Sequence, residues 1–221
     1  MKRVVMLVLL LSAQAVAAAD YRWLSGWDRN YPAMPIIIEP FIKEVEVASK
    51  GSIKILHSGP ETVPAFEQLQ PVASGAFHFL YTHGAYHFGT TPVLTAFEGV
   101  GGDEKSRRAS GVLEWIDRHY QKLGLKLVAS PMTPDGGYGI LLRQPPSPAG
   151  DLQGRQIRGT PSYTAVFRML GATPVQMPPG EIYTALDKGV VDGAAWPVIG
   201  PLNYRWYEVA KYVLRPSFGF N

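Results

Sequence analysis

Apolar and polar residues alternate through residues 151–193 in a pattern that predicts three short strands separated by two helices. The predicted strands are Arg155–Arg158, Thr173–Met177 and Val190–Gly193, and the predicted helices are Ser162–Leu170 and Glu181–Lys188. Strands that alternate with helices form a parallel sheet, and ligands bind beyond the carboxyl ends of such strands. Arg158 ends the first of these strands, which is a suitable place for a guanidinium to meet a small anion.

The preceding part of the chain shows the same alternation and predicts a second α/β unit. Its predicted strands are Tyr21–Trp27, Ser52–His57, Ala76–Thr82 and Leu125–Ser130, and its predicted helices are Ile36–Ser49, Ala65–Ser74 and Asp103–Leu123. A further predicted strand, Tyr138–Leu142, leads into the next unit. A glycine turn near Asp135 predicts a boundary between one lobe over residues 20–135 and another over residues 136–221. Two lobes joined by an extended strand predict a ligand cleft between them.

The first nineteen residues have the features of a signal peptide. Lys2 and Arg3 precede an apolar run, Val4–Leu11, and small residues offer cleavage sites near Ala17 or Ala19. The run is shorter than the roughly 20 apolar residues that a membrane span requires. We therefore expect an exported protein that is not itself embedded in a membrane and that lies in the periplasm.

Composition narrows the classes of function further. Loss of Lys2 and Arg3 with the leader lowers the formal net charge from +3 by two, to +1, and a near-neutral surface argues against nucleic-acid binding. Cysteine is absent, which excludes disulfides, thiolate metal sites and a lipid-anchored cysteine. The hydrophobic fraction of 46% is ordinary for a globular core. These are the properties of a free exported protein.

Three segments carry a specific resemblance to a known family. They are DLQGRQIR (Asp151–Arg158), LGATPVQM (Leu170–Met177) and GEIYTALDKGVVDG (Gly180–Gly193), with weaker agreement elsewhere, including Ser74–His83. The chain resembles the dicarboxylate-type (DctP) periplasmic solute receptors of tripartite ATP-independent periplasmic (TRAP) transporters. The resemblance implies a two-lobed α/β fold, like that of periplasmic binding proteins, that captures a small organic acid between its lobes. It also implies delivery of the acid to integral-membrane TRAP permease subunits, with no cofactor and no chemistry on the ligand.

The resemblance also implies roles for individual residues. Arg158 ends the G-x-x-I-R strand and corresponds to the arginine that pairs with the ligand carboxylate. Trp196 stands where family members often have a ligand-facing asparagine, and Tyr138 stands where many have a polar or cationic residue. His83 corresponds to a position that faces the cleft. Because aromatic residues replace these polar ones, we expect an acid with an apolar body, aromatic or 2-oxo, rather than a sugar acid.

Other residues near predicted strand ends are weaker candidates for ligand contacts. Trp27, Phe66 and Tyr81 either wall the cleft or pack in the core in the ordinary way. Glu61 lies in a turn before a helix, where it either faces the cleft or supports the helix N-terminus. The residues alone leave these alternatives open.

The residues alone also leave alternatives open for the main candidates. For Arg158, the alternative is a structural ion pair with Glu181 or Asp192, or a solvated surface side chain. For Trp196 and Tyr138, the alternative is core packing. The family resemblance favours the ligand-binding role in each case.

No catalytic residue and no metal site is predicted. His83 and His87 are spaced i, i+4, but the segment between them is typical of a loop and has no obvious third ligand. Gly99–Ser106 is similar to a phosphate-binding loop, but Glu104 occupies the place of a required glycine. The G-x-S-x-G and H-E-x-x-H motifs are absent. A periplasmic hydrolase with His83 as base and a ligand-sensing receptor subunit remain as alternatives.

The resemblance also bears on the length of the chain. In the family, the polypeptide continues past the point that corresponds to Asn221, crosses back to complete the first lobe and adds long helices. The resemblance therefore implies a product truncated at its C-terminus. An incomplete first lobe is expected to expose apolar surface and to fold poorly in isolation.

Overall fold

The computed structural model describes residues 19–93, 95, 99–131 and 137–219. The strands are β1 (Ala19–Ser25), β2 (Ile53–Ser58), β3 (Phe79–Tyr81), β4 (Tyr138–Leu142), β5 (Gln156–Arg158), β6 (Thr173–Val175), β7 (Gly193–Pro197) and β8 (Tyr212–Phe218). The α-helices are α1 (Glu39–Ala48), α2 (Leu69–Ala73), α3 (Glu104–Ala109), α4 (Val112–Gln121), α5 (Thr164–Met169) and α6 (Ile182–Lys188). Residues 1–18 of the predicted leader and the predicted boundary at Asp135 lie outside the described residues.

The first sheet has three parallel strands in the order β2-β1-β3. Helix α1 connects β1 to β2, and α2 connects β2 to β3, because consecutive strands that run parallel in one sheet need a crossover connection. Ser25, the last residue of β1, is paired with Tyr81, the last residue of β3. The segments that follow these two strands therefore begin side by side at one edge of the sheet.

The second sheet has five strands in the order β6-β5-β7-β4-β8. Strand β5 is parallel to β6 and β7, as predicted, whereas β4 is antiparallel to both β7 and β8, so the sheet as a whole is mixed. The carboxyl ends of β5, β6 and β7 and the amino end of β4 consequently share one edge. At this edge Arg158 is paired with Val175 and Ala194, and Tyr138 is paired with Pro197.

The main hydrophobic core joins residues of both units. One cluster combines Trp23 and Trp27 near β1 with Leu186 of α6 and Trp196 of β7. A second cluster lies around β4 and β5 and includes the fully buried Phe167 of α5. The first cluster brings the strand-end edges of the two sheets toward each other.

The predicted strand Leu125–Ser130 is wrong. Leu125 and Leu127 pack on the small core that includes Ile116 and Tyr120 of α4. The backbone N–H of Leu127 donates to Oδ1 of Asp117 at 2.8 Å, a helix side chain rather than a neighbouring strand. The alternating apolar residues therefore reflect packing against α4 and not pairing in a sheet.

The predicted helix Asp103–Leu123 is divided into α3 and α4. Gly111 lies between them with φ +77°, a left-handed conformation that interrupts a helix and that glycine adopts without steric cost. Asp103 caps the start of α3, because its carboxylate accepts the Ser106 backbone N–H at 2.8 Å. Among the described residues, no helix is both long and apolar enough to cross a membrane.

The last strand of the β5–β7 unit begins later than predicted, at Gly193 rather than Val190. The backbone N–H groups of Val190 and Val191 donate to the carbonyl of Ala185 in α6, at 2.9 and 3.3 Å. These two valines therefore complete the end of the helix, and the Val191 side chain is buried in the main core although it lies outside the strand.

Candidate functional site

A cavity of about 880 Å³ lies where the strand-end edges of the two sheets approach each other. The second sheet contributes residues from the end of β5, the end of β7, the start of β4 and the turn into α5. These residues are Arg158, Thr160, Tyr163, Trp196 and Tyr138. The first sheet contributes the segments that follow β1 and β3, so strand ends from both units line one space.

Arg158 is held in place by backbone groups of both neighbouring strands. Its side chain is 1% exposed. Nε and Nη2 donate to the carbonyl of Met177, just after β6, at 3.1 and 2.9 Å. Nη1 donates to the carbonyl of Ala195 in β7 at 3.3 Å. The ring of Trp196 lies 5.1 Å from the guanidinium carbon in a cation–π contact.

These contacts determine which donors of Arg158 are left for a ligand. A guanidinium carries five N–H groups: one on Nε and two on each Nη. The two carbonyls take the Nε–H and one N–H of each Nη. One N–H on each Nη remains, so both terminal nitrogens keep a donor for the oxygens of a carboxylate.

The ion-pair alternative for Arg158 is wrong. Within the described part of the chain, no carboxylate lies within ion-pair distance of its guanidinium. Asp192 instead accepts the backbone N–H of Gln156 at 2.8 Å, and Glu181 is exposed at the start of α6. A buried cation without an anion is energetically unfavourable, because the interior solvates charge poorly. An anionic ligand would relieve this cost.

His83 and Tyr138 connect the two sheets at the cavity. Nε2 of His83 lies 3.0 Å from the hydroxyl of Tyr138. Nδ1 of His83 accepts the backbone N–H of Ala85 at 3.3 Å, which leaves the ring proton on Nε2 as the donor toward Tyr138. Burial, followed by the charge of Arg158 and the proximity of His87, lowers the pKa of His83 to about 4. The imidazole is therefore neutral at pH 7.

The first sheet presents an aromatic wall to the cavity. Trp27 follows β1 and stacks on Tyr31, with ring centroids 4.8 Å apart and planes 14° from parallel. Tyr81 and Tyr86 pack against the same indole at 5.0 and 5.6 Å. Burial raises the pKa of Tyr81 to about 12 and also raises the pKa of Tyr31, so both phenols stay neutral. The wall is uncharged.

Thr160 and Tyr163 line the cavity although they were not among the predicted site residues. Thr160 is 3% exposed, and its hydroxyl lies 2.7 Å from that of Ser162. The ring of Tyr163 lies 4.7 Å from that of Tyr138. Their place in the turn directly after a strand-end arginine was the available signal, since such turns carry ligand contacts in parallel sheets.

Gly159 allows the turn after Arg158 to pack tightly. A Cβ atom at this position would lie 2.4 Å from Cε2 and 2.6 Å from Cζ of Phe167. Phe167 is fully buried in α5, so its ring could move aside only by disturbing the close-packed core around it. The absence of a side chain at Gly159 therefore lets α5 approach the end of β5.

The structure brings six of the eight predicted ligand residues to the cavity: Arg158, Trp196, Tyr138, His83, Trp27 and Tyr81. Glu61 and Phe66 lie outside the lining. Glu61 is exposed, and its carboxylate accepts the backbone N–H of Gly59 at 2.7 Å. Phe66 is partly buried, and its ring packs on Tyr86 at 5.2 Å.

His83 and His87 have separate hydrogen-bond partners. Nε2 of His87 lies 2.9 Å from the hydroxyl of Thr82, whereas His83 faces Tyr138. Across the described ranges, no group of three or more His, Cys, Asp or Glu side chains is placed to hold a metal ion. The geometry at this pair is that of two hydrogen-bonded histidines.

The sequence profile of bacterial extracellular solute-binding protein family 7 (DctP) matches residues 27–221. The chain belongs to this family. The match covers every element from α1 to β8 and confirms the resemblance that the three segments around Arg158 suggest.

A curated relative spans most of the chain. A monocarboxylate 2-oxoacid-binding periplasmic protein of Nostoc sp. is 27% identical over 189 residues. The match covers 82% of this chain and 50% of the relative. The chain thus spans about half the length of the relative that it matches.

Solved structures of TRAP solute-binding proteins share the fold. One from Bordetella bronchiseptica, with copurified calcium and picolinate, is 24% identical with a TM-score of 0.77, covering 91% of this chain and 62% of that one. One from a marine metagenome, specific for aromatic acids and bound to 3-hydroxybenzoate, is 24% identical with a TM-score of 0.76, covering 92% and 66%. These likenesses confirm the predicted two-lobed α/β fold class.

Proposed function

We propose that this chain is a periplasmic receptor that captures a small organic acid and delivers it to the integral-membrane subunits of a TRAP transporter. Family membership supports the receptor class and the periplasmic location. The relatives named above are described with 2-oxoacid, picolinate or 3-hydroxybenzoate ligands, and this common chemistry supports a carboxylate ligand here.

The observation that carries the proposal is the environment of Arg158. A buried guanidinium lines the cavity, two backbone carbonyls fix its orientation, and it keeps one N–H on each Nη for a ligand. Because the described residues offer it no counter-ion, a ligand carboxylate both gains a bidentate pair and neutralises the buried charge.

Capture requires that the ligand be shielded from water as well as anchored. Arg158 and Trp196 belong to the second sheet, whereas Trp27 and Tyr81 approach from the first. A ligand held at Arg158 gains the contacts of the aromatic wall only when both edges enclose it. Differential contact of this kind stabilises the closed arrangement of a two-lobed receptor.

Binding is tested by comparing each acid with its own amide. Benzoate and pyruvate are expected to raise the melting temperature of the purified protein and to release or absorb heat in calorimetry. Benzamide and pyruvamide have the same shape without the charge and are expected to do neither. A ligand at 100 times its Kd stabilises the folded state by about 2.7 kcal/mol, which is easily detected. Equal binding of acids and amides would contradict the proposal.

The same samples discriminate between a receptor and an enzyme. We expect no turnover of methyl benzoate or of other acid esters, because Nδ1 of His83 already accepts the Ala85 N–H and Nε2 holds its proton toward Tyr138, so neither ring nitrogen presents itself as a base. Turnover that is lost in His83→Gln would instead favour a hydrolase. A ligand-sensing subunit would bind the same acids but would not support their uptake when combined with TRAP membrane subunits.

A further inference from the structure

We infer that the ligand is a flat monocarboxylate with an uncharged aromatic body, rather than a zwitterion, a sugar acid or a dicarboxylate. The inference rests on the proposed function, since it concerns the ligand of the same cavity. Three properties of the lining support it: its hydrogen-bonding side chains, the state of its cations and the arrangement of its rings.

The described residues of the lining include no acidic and no amide side chain, that is, no Asp, Glu, Asn or Gln. An ammonium group on the ligand would therefore enter a poorly solvating space beside Arg158 without a carboxylate partner. The hydroxyl groups of a sugar acid would lack the carboxylate and amide groups that accept and orient hydrogen bonds. Both ligand types should bind weakly.

Only one of the lining cations on described residues awaits a counter-ion. Three cations line the cavity: Arg107, Lys126 and Arg158. Arg107 donates to the backbone carbonyl of Val100 and has the negative charge of Glu104 nearby, and Lys126 forms an ion pair with Asp117. Arg158 has backbone carbonyl partners but no carboxylate partner. The charge balance therefore favours one carboxylate per ligand, since a second would be buried without a cation.

Aromatic rings surround the place where the ligand body would extend from Arg158. On the second sheet, Trp196 lies against the guanidinium, and the rings of Tyr138 and Tyr163 are 4.7 Å apart. On the first sheet, Trp27 and Tyr31 form a stacked pair. Flat aromatic groups pack against such rings in offset or edge-to-face geometry, which puckered aliphatic rings cannot reproduce. The walls therefore favour a planar ring over a saturated ring of equal size.

Matched ligand pairs test each part of the inference in calorimetry with the wild-type protein. Benzoate against cyclohexanecarboxylate isolates planarity, and we expect benzoate to bind about three- to tenfold more tightly. 4-Methylbenzoate against 4-(aminomethyl)benzoate adds one ammonium group, and terephthalate adds one carboxylate. We expect each additional charge to weaken binding at least tenfold. Gluconate and 2-oxoisovalerate represent the sugar-acid and aliphatic 2-oxo-acid classes, and both should bind more weakly than benzoate.

Two tryptophan substitutions, one in the cavity lining and one outside it, test whether the preference for a planar ring arises in the cavity. Trp196→Leu should reduce the ratio of benzoate to cyclohexanecarboxylate affinity toward one. Trp115→Leu is the matched control, because Trp115 is half exposed on α4 outside the lining, and the ratio should stay unchanged. If Trp196→Leu fails to fold, Trp27→Leu on the opposite wall provides the same measurement.

The outcomes separate this inference from the function on which it rests. If no carboxylate binds, the receptor proposal itself fails. If carboxylates bind but gluconate, 2-oxoisovalerate, terephthalate or the ammonium-bearing acid binds as tightly as benzoate, the receptor proposal stands and the aromatic monocarboxylate inference is overturned. Equal affinity for benzoate and cyclohexanecarboxylate would overturn the planarity argument in the same way.

Discussion

The two strand-end edges that meet at the cavity are built on different principles. On the second sheet, carbonyls of Met177 and Ala195 hold a buried cation, Arg158, in one orientation. On the first sheet, the edge consists of stacked rings around Trp27 and of His83, whose pKa is lowered so far that it is neutral at pH 7. One edge presents a fixed charge, and the other presents an uncharged surface.

This difference indicates that the two edges contribute to ligand recognition in different ways. A charged hydrogen bond is directional, so the group that makes it must be positioned by rigid neighbours before the ligand arrives. Apolar burial has no preferred direction, so a wall of rings tolerates small displacements. Substitutions that disturb the second edge should therefore weaken binding more than substitutions of similar size at the first.

The largest expected effect comes from removing the fixed charge. Arg158→Ala should weaken carboxylate binding by about 2–5 kcal/mol, because the ligand loses a buried, charge-assisted pair. Calorimetry with benzoate and pyruvate measures this loss directly, at about tenfold in Kd for each 1.4 kcal/mol.

Arg155→Ala is the matched control for this substitution. Arg155 lies on the same segment, but its guanidinium donates to the carbonyls of Gln144 and Pro145, away from the lining. Its loss should leave Kd nearly unchanged. Equal losses in both variants would place the anchor elsewhere.

A smaller effect is expected from crowding the turn that follows the charge. Gly159→Ala places a methyl group 2.4 Å from the buried ring of Phe167, and overpacking of this kind destabilises a fold by about 1–3 kcal/mol. Urea unfolding should show the loss, and Kd should rise because α5 is displaced from β5. Gly180→Ala, which meets no atom within 4 Å, should change neither quantity. A fully stable Gly159→Ala protein would refute the close packing.

Acid should destabilise the first edge. Burial lowers the pKa of His87 from 6.5 to about 4, so the unfolded chain binds the proton more readily than the folded one. The resulting stability is fully present above pH 6.5 and is lost as the pH falls toward 4. The free energy of unfolding should decrease in this window by up to about 1.4 kcal/mol per pH unit for this histidine.

Urea titrations at pH 7, 6 and 5 measure this slope, and His87→Gln should reduce it. The glutamine retains a hydrogen-bonding partner for Thr82, which lies 2.9 Å from His87 in the wild type. His83 shifts in the same direction and keeps part of the slope in both proteins. Identical slopes in wild type and variant would show that His87 titrates normally.

The smallest effect is expected at Glu61. Its carboxylate is exposed and accepts the Gly59 backbone N–H rather than lining the cavity. Glu61→Gln keeps an acceptor for that bond, and carboxylate affinity should stay within about twofold, since surface substitutions usually change energies by less than 0.5 kcal/mol. A large change in Kd would indicate that Glu61 contacts the ligand. It would also contradict the description of the first edge as an uncharged surface.

Local patterns were sufficient to predict the β5–β7 unit. Helical spacing, the glycines after the helices and the alternation of elements depend on neighbours in sequence, and they placed Arg158 at the end of a strand that the structure contains. The same reasoning failed for Leu125–Ser130, because a strand needs a partner and that information is not local. Apolar alternation looks the same whether the residues pair in a sheet or pack on α4.

The site was predictable only in part for a related reason. Residues at or just after strand ends, such as Trp196 and His83, could be placed at the cavity because the ends of parallel strands share an edge. Phe66 is also aromatic and lies close to a predicted strand end in the sequence. Its ring packs on Tyr86, and Tyr86 rather than Phe66 lines the cavity. Thr160 was missed because a threonine in a turn has no distinctive pattern, although it follows Arg158 by two residues.

The carbonyls that hold the Arg158 guanidinium belong to the main chain, and this affects how ligand specificity can change among related sequences. Main-chain oxygens are present whichever side chains occupy positions 177 and 195. Substitutions at these two positions therefore leave the hydrogen-bond acceptors of Arg158 in place. A change of ligand specificity would then require only the exchange of lining side chains such as Tyr138 or Thr160. The orientation of the arginine that binds the carboxylate would be retained.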